Sequence, residues 1–280
     1  MKRRKFVKGM AAITALGAAT GMYAWQVEPF WLEFVHQKMP VKNLPKHLEG
    51  KMVMQISDIH VGNRFDWGYI IDSFKKAQAL KPDFVVYTGD FVHYEDATQY
   101  KDLKTVMKHV VTGNIGTYGV LGNHDYGHDW EQPEVADTVS EILEESGIRI
   151  LRNEQEEKEG LHIIGIDDYW GTNFQPEALL QKHNANHANI ALCHNPDVCD
   201  LSVWNGYKSW ILSGHTHGGQ VKPPFLPSPM LPVKNKKYSS GKIPLEDGRT
   251  LYINRALGCL WQVRFNMRPE ITVFHLEQAV

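Results

Sequence analysis

Five short stretches of this chain carry residues that can hold metal ions or move protons, and each follows an apolar run. They are Asp58-Ile59-His60, Asp90, Asn123-His124-Asp125, His194 and His215-Thr216-His217. The last is the most telling. Its two imidazoles sit two residues apart among Gly214, Gly218 and Gly219, just after Trp210-Ile211-Leu212. On an extended backbone, side chains two apart point to one side. Two neutral imidazoles on one side can grip a cation, and the glycines leave room for it. Asp58 and His60 repeat that spacing after Met52-Val53-Met54-Gln55-Ile56. Asp90 follows Phe84-Val85-Val86-Tyr87. Its two oxygens can bridge two cations, or cap the next helix. Asn123 offers an oxygen without charge. His124 beside Asp125 reads as an acid and its orienter, because a carboxylate bonded to an imidazole favours the protonated form. That form can protonate a departing alkoxide. His194 ends the run 189–193 and is expected to be a ligand. Cys193 should alternate to the other face and be inert.

The elements that must position these residues are legible from periodicity. Strands are expected at 52–57, 84–87, 117–121, 148–151, 161–166, 189–193, 210–212, 250–254 and 271–276. Helical spacing appears at 69–80, 102–111 and 134–146. Strand–helix alternation of this kind gives layered α/β proteins, whose ligand clefts open at one end of the strands. The charged run 153–159 reads as a solvated hairpin. The loop 167–174, with Tyr169 and Trp170, either lines a substrate pocket or covers a core edge. The Pro-rich segment 221–233 can shape a cleft. Lys234, Lys236 and Lys237 lie near an anionic substrate or are simply solvated. Arg64, after Asn63, is a phosphate contact or a surface arginine. Nothing distinguishes His93 from an exposed histidine.

Composition narrows the classes. The chain has 280 residues and a net charge of -2. That excludes a broad polyanion-binding surface, so no stable nucleic-acid partner is expected. Three scattered cysteines make neither a disulfide framework nor a CxxC site. The start, Lys2-Arg3-Arg4-Lys5-Phe6-Val7-Lys8, precedes a moderately apolar run to residue 27. It reads as an export signal of the twin-arginine type, with Gly17-Ala18-Ala19 a weak cleavage candidate. Retained, the run can just span a bilayer. The expected location is therefore the periplasm or cell envelope, by export or membrane association. The aromatic stretch Pro29-Phe30-Trp31-Leu32-Glu33-Phe34-Val35 lies at a membrane interface or is a short helix docked on the domain. Pro40, Pro45 and Gly50 mark a linker. The expected division is 1–27 signal or anchor, 28–50 amphipathic segment and linker, and 51–280 catalytic domain. No feature indicates the number of subunits.

Together, Asp-x-His, Gly-Asp, Gly-Asn-His-Asp, a lone His and Gly-His-x-His resemble the calcineurin-like metallophosphoesterase superfamily, from about Lys51 to the end. The basic start, Gly-His-Thr-His-Gly-Gly-Gln, and Arg255-Ala256-Leu257-Gly258 with Met267-Arg268-Pro269-Glu270 are similar to its YaeI/YkuE-type exported phosphodiesterases. The resemblance implies an α/β fold of two packed mixed β-sheets flanked by helices, with the site at one end. It implies one divalent ion on Asp58, His60 and His217, a second on Asn123, His194 and His215, and Asp90 bridging them. Mixed carboxylate, amide and imidazole donors suit Mn, Fe or Zn. The implied reaction is hydrolysis of a phosphoester, by attack of a metal-bridging water with His124, oriented by Asp125, as general acid. A membrane-associated or lipid-linked phosphate is the expected substrate. Some relatives cleave the pyrophosphate of UDP-2,3-diacylglucosamine in lipid A synthesis. A nuclease lacks support from basic, aromatic-interleaved segments. A non-catalytic metal-binding scaffold would have no use for the His124 acid.

Overall fold

The computed structural model describes residues 3–62 and 64–279. Its frame is two six-stranded sheets packed face to face. In the first, β1 (Glu33–Val41) lies at the edge, followed by β12 (Glu270–Gln278), β2 (Met52–Ile56), β3 (Phe84–Thr88), β4 (Gly116–Val120) and β5 (Arg149–Ile150). β2 to β5 run parallel, and β12 is antiparallel to β2. The second sheet has the order β10 (Gly241–Pro244), β11 (Thr250–Ile253), β9 (Trp210–Ser213), β8 (Ala188–Leu192), β7 (Leu161–Gly165) and β6 (Glu154–Lys158). Its four central strands are parallel and its two edges antiparallel.

Side-chain alternation explains the layering. Val53, Phe84, Val86 and Val120 face Ile190, Leu192, Trp210 and Leu212 across the space between the sheets. The intervening residues Met54, Ile56, Val85 and Tyr87 face outward. They meet α2 (Trp67–Gln78), α3 (Thr98–Met107) and α4 (Pro133–Glu145) through Phe74, Leu103, Val139 and Leu143. On the far side, Ala191, Cys193, Ile211 and Ile253 pack under α5 (Glu177–Gln181) with Leu180, Trp204 and Tyr207. Strands buried on both faces read as continuous apolar runs, which is why the sequence revealed most of them. The charged run forms the exposed edge strand β6, paired antiparallel with β7. Short β10 was not expected. Its Gly241-Lys242-Ile243-Pro244 carries too little apolar pattern.

The expected division of the N-terminal region is corrected. Residues 33–41 are not linker: β1 pairs in parallel with β12 along its whole length. Pro40 is tolerated because β1 is an edge strand and needs no second partner on its open side. The folded unit therefore begins well before Lys51. The aromatic stretch is docked on the domain, as a short 3-10 turn and a strand rather than a helix. Phe30 stacks on Phe65 at 5.5 Å and meets Tyr69 edge-on at 5.5 Å. α1 (Arg3–Gln26) precedes it and is exposed along almost all its length. Among the described residues no helix is long and apolar enough to cross a membrane. The expected bilayer span fails because Thr14, Thr20 and three glycines dilute the apolar run. Asn63 lies outside the described residues. Arg64 lies on the surface, its Nε 3.4 Å from Glu95 Oε1.

Candidate metal centre

β2, β3, β4, β8 and β9 all end at the same margin of the molecule, where the two sheets meet. Polar groups stitch that margin together. Gln55, at an inward position of β2, donates to Thr88 Oγ1 at 3.0 Å and to the Ser213 carbonyl at 2.9 Å. The His215 N–H donates across the gap to both Asp58 oxygens, at 3.0 and 3.1 Å. The strand-end segments of both sheets are thereby locked into one cluster.

Extended geometry does not align the ligand pairs, contrary to expectation. Asp58 (φ 52), His60 (φ 46), Asp90 (φ 54), His215 (φ 70) and His217 (φ 51) all occupy the left-handed region. Each costs about 1–2 kcal/mol for a residue with a Cβ. Five in one cluster mark strain held by surrounding structure, a hallmark of functional sites. The sharp turns carry the chain past the strand ends and fold its side chains inward. Two glycines make this approach feasible. A Cβ on Gly214 would lie 2.0 Å from Ser57 Oγ and 2.2 Å from Asp58 Oδ2, and one on Gly122 would lie 2.3 Å from Asp90 Oδ1.

Two donor groups result. Asp58, His60 and His217 bring ligand atoms within 4.8 Å of one another, and so do Asp90, His194 and His215. All six are buried. In the first group, the Nε2 atoms of His60 and His217 are 3.0 Å apart and His217 Nε2 is 3.3 Å from Asp58 Oδ1. In the second, His194 Nε2 lies 3.1 Å from His215 Nδ1 and 3.2 Å from Asp90 Oδ2. Asp90 joins the groups, since the same Oδ2 is 3.5 Å from His60 Nε2. Its other oxygen accepts the His124 N–H at 2.9 Å.

Hydrogen bonds select which nitrogens face the centre. His194 Nδ1 donates to the Thr88 carbonyl at 2.7 Å, leaving Nε2 for the cluster. His215 uses the opposite arrangement. Its Nε2 donates to the Pro232 carbonyl at 2.8 Å, leaving Nδ1. The Pro-rich loop thus orients a cluster imidazole. Burial, followed by the neighbouring His194, pushes His215 down to about 3. Burial likewise lowers His60 well below the usual imidazole range. Both are neutral at physiological pH, the form that binds metal. His194 moves the other way: burial pulls it down, but the charge and hydrogen bond of Asp90 together with Asp58 and Asp168 push it well above the usual imidazole value.

The fit of cations rests on more than proximity. Asn123 Oδ1 is buried without a hydrogen-bond partner, and it follows Gly122, whose backbone lies directly against the Asp90 carboxylate. An orphaned amide oxygen is costly, and a cation satisfies it. Imidazoles, carboxylates and one amide oxygen crowded together in a buried site form a donor set for two divalent ions.

The His124–Asp125 pairing is corrected in part. Asp125 is fully buried. Its Oδ1 accepts the Phe91 and Val92 N–H groups at 2.8 and 3.0 Å, and its Oδ2 accepts the Gly122 N–H at 2.9 Å. No hydrogen bond joins it to the His124 imidazole among the described residues. Adjacent residues in a tight 3-10 turn project apart, so Asp125 holds the backbone of the two strand-end loops. Burial, then the Asp90 charge, pushes its carboxyl up to about 8 against those donors. The half-buried His124 ring instead lies 5.0 Å from both His60 and His93. His93, which no sequence signal distinguished, completes a third histidine group with them within 4.8 Å.

Further residues reach the cluster from loops, one of them the loop singled out for Tyr169 and Trp170. Trp170 stands edge-on to His215 at 4.5 Å, which places the loop 167–174 at the cluster. Asp168 next to it is buried and has one oxygen without a partner. Burial pushes its carboxyl up to about 7. Arg264 is fully buried and donates to the carbonyls of Arg255, Ala256, Gly258 and Met267. It fixes the loop whose Gly258 N–H binds the Asp58 carbonyl at 2.8 Å. No local pattern marks such a hub. Cys193 is buried on the outer face, its thiol pushed up to about 12 by burial, as expected of an inert cysteine.

Residues 51–219 match the calcineurin-like phosphoesterase family. The chain is 29% identical to the uncharacterized metallophosphoesterase YkuE of Bacillus subtilis, over 100% of this chain and 99% of that protein. It is 26% identical to the phosphodiesterase YaeI of Escherichia coli, over 99% of each. It is also 26% identical to the UDP-2,3-diacylglucosamine pyrophosphatase LpxG of Chlamydia trachomatis, over 94% of each. In fold it is similar to a dimetal phosphatase from Danio rerio, with a TM-score of 0.51 and 12% identity over 75% of this chain and 88% of that one. With the motifs, the sandwich and the paired donor groups all agreeing, the chain belongs to the calcineurin-like phosphoesterase family and is a metal-dependent phosphoester hydrolase.

Proposed function

We propose that this enzyme is a phosphodiesterase of the cell envelope acting on a lipid-linked phosphoester. Asp58, His60 and His217 would hold one divalent ion, and Asn123, His194 and His215 the other, with Asp90 shared. The observation that carries this assignment is Asp90 Oδ2, within 3.5 Å of a histidine nitrogen from each group. Imidazole-rich sites of this kind favour Mn, Fe or Zn over Mg or Ca. Bound there, two such ions neutralise phosphate charge and generate a nucleophile at neutral pH.

The chain's own residues supply orientation and a proton. Thr88 and Pro232 carbonyls fix the tautomers of His194 and His215. Asp90 positions the His124 backbone through its 2.9 Å hydrogen bond. Burial lowers the His124 pKa more than Asp90 raises it, so its imidazolium is a stronger acid than a free one. Donating that proton to the departing oxygen is its proposed role. His124→Ala should keep both metals and lose turnover of bis-p-nitrophenyl phosphate by about 10²–10³-fold. Metal analysis beside the assay decides the point, because metal loss in this variant would make His124 a ligand instead.

Two features support a lipid-linked substrate. LpxG, named for action on a diacylated nucleotide sugar, is similar along almost the whole chain. A cavity of about 740 Å³ also opens beside His215 and His217, lined mainly by apolar groups such as Met230, Leu231 and Leu260. Export through the twin-arginine route accords with the Arg3-Arg4 start. The test is a panel on metal-analysed protein: bis-p-nitrophenyl phosphate, p-nitrophenyl phosphate, single-stranded DNA and UDP-2,3-diacylglucosamine. Preference for the acylated substrate is expected. Preference for DNA would overturn the lipid reading.

A further inference from the structure

The rim of that cavity carries the most exposed apolar side chains of the folded domain. Phe225 is fully exposed, and Leu226, Met230 and Trp261 are each about 60% exposed. Water-facing phenylalanine, leucine and tryptophan at one mouth are costly, and such patches mark contact surfaces. The loops that bear them are stiff. Five prolines lie between Val221 and Val233. Gln220 ties the base of that loop to the Trp261 and Val263 carbonyls, at 2.9 and 3.0 Å, and Ser228 Oγ binds the Gly218 carbonyl at 2.6 Å. A preorganised loop loses little entropy on docking.

The surrounding charge selects the partner. From Val221 to Leu245 there are five lysines and no acidic residue. α1 is similar, with Arg3, Arg4, Lys5 and Lys8 and no acid. The C-terminal end of α1 reaches the loop that bears Trp261, since the Arg264 N–H donates to the Ala24 carbonyl at 2.9 Å and Gln262 to the Trp25 carbonyl at 3.1 Å. Cationic, acid-free elements flanking exposed aromatics complement an anionic interface. Two copies of the same surface would repel.

We propose that this rim docks on an anionic phospholipid bilayer. Phe225, Leu226 and Trp261 enter the headgroup region, the lysines meet lipid phosphates, and the cavity opens toward the membrane. An apolar tail can then pass from bilayer to cavity without crossing water. Only that last step rests on the lipid-linked reading of the site; the docking face stands on its own observations.

The test uses the full chain with vesicles of phosphatidylcholine containing phosphatidylglycerol, followed by amide hydrogen exchange. The expected result is vesicle-dependent protection of residues 225–231 and 260–265, weaker with pure phosphatidylcholine. In F225S/L226S the vesicle-bound fraction should fall, with partitioning weakened about tenfold or more. Turnover of soluble bis-p-nitrophenyl phosphate should be unchanged, because neither residue lines the cavity. Vesicle binding that protects residues 3–26 alone overturns the proposal, and so does an absence of binding. Protection that appears without lipid as protein concentration rises also overturns it, in favour of a second copy. An inactive wild type on the soluble substrate counts against the hydrolase reading alone, since the vesicle readout does not depend on turnover.

Discussion

Asp90→Asn should bind one metal equivalent fewer than the wild type and lose activity on bis-p-nitrophenyl phosphate by on the order of 10³-fold. The change is nearly isosteric. An amide oxygen can still accept the His124 N–H that Asp90 Oδ1 accepts at 2.9 Å, so the loop at 122–126 keeps its anchor. What disappears is the charge facing both donor groups, 3.5 Å from His60 and 3.2 Å from His194. In a buried site a negative charge between two dications offsets much of their mutual repulsion, and a neutral amide cannot. Asp58 stays behind with His60 and His217, so the first ion should be the one retained. Elemental analysis with steady-state kinetics decides the outcome. Two metals per chain and wild-type turnover in this variant would dispose of the bridging role.

Asp125→Ala should damage the fold rather than the chemistry directly. Three backbone N–H groups, of Phe91, Val92 and Gly122, would lose their acceptor where water does not reach. Each buried orphan donor costs about 1–3 kcal/mol, so a loss of about 3–5 kcal/mol is expected, with relaxation recovering part. For a chain of this size that lowers the melting temperature by about 10 °C. Asp125→Asn should fall between, because its one carbonyl oxygen can serve two donors and not the third. A purely orienting role for Asp125 predicts the reverse: an unchanged melting temperature and an altered pH profile of turnover. Thermal melts and pH–rate profiles on the same preparations separate the two.

The candidate site was legible because its residue types follow strand ends. A parallel strand buried on both faces must be an unbroken apolar run, and the chain leaving it must be polar. Asp58, Asp90, Asn123, His194 and the His215 and His217 pair could therefore be picked out one by one. Their mutual arrangement could not. The extended i, i+2 geometry anticipated for Asp58 and His60 is replaced by left-handed turns at both residues. Such turns are imposed by neighbours, here the Gly258 and His215 amides that bind Asp58. The placing of His93, Asp168 and Arg264 at the site escaped notice because their environment is made by segments remote in sequence.

The N-terminal boundary shows the same division. Pro40, Pro45 and Gly50 suggest a linker when neighbours in sequence are all that is seen. β1 is a strand because β12, more than two hundred residues later, offers it an open edge. Local composition determined the doubly buried strands, the helices α2 to α4 and the identities of the metal-type residues, since burial and periodicity act over a few residues. The tertiary structure decided that Asp90 faces both histidine groups, that Asp125 secures backbone rather than imidazole, and that the cavity mouth gathers Phe225 and Trp261. Those facts depend on contacts between the two sheets and their loops, which form only when the chain closes on itself.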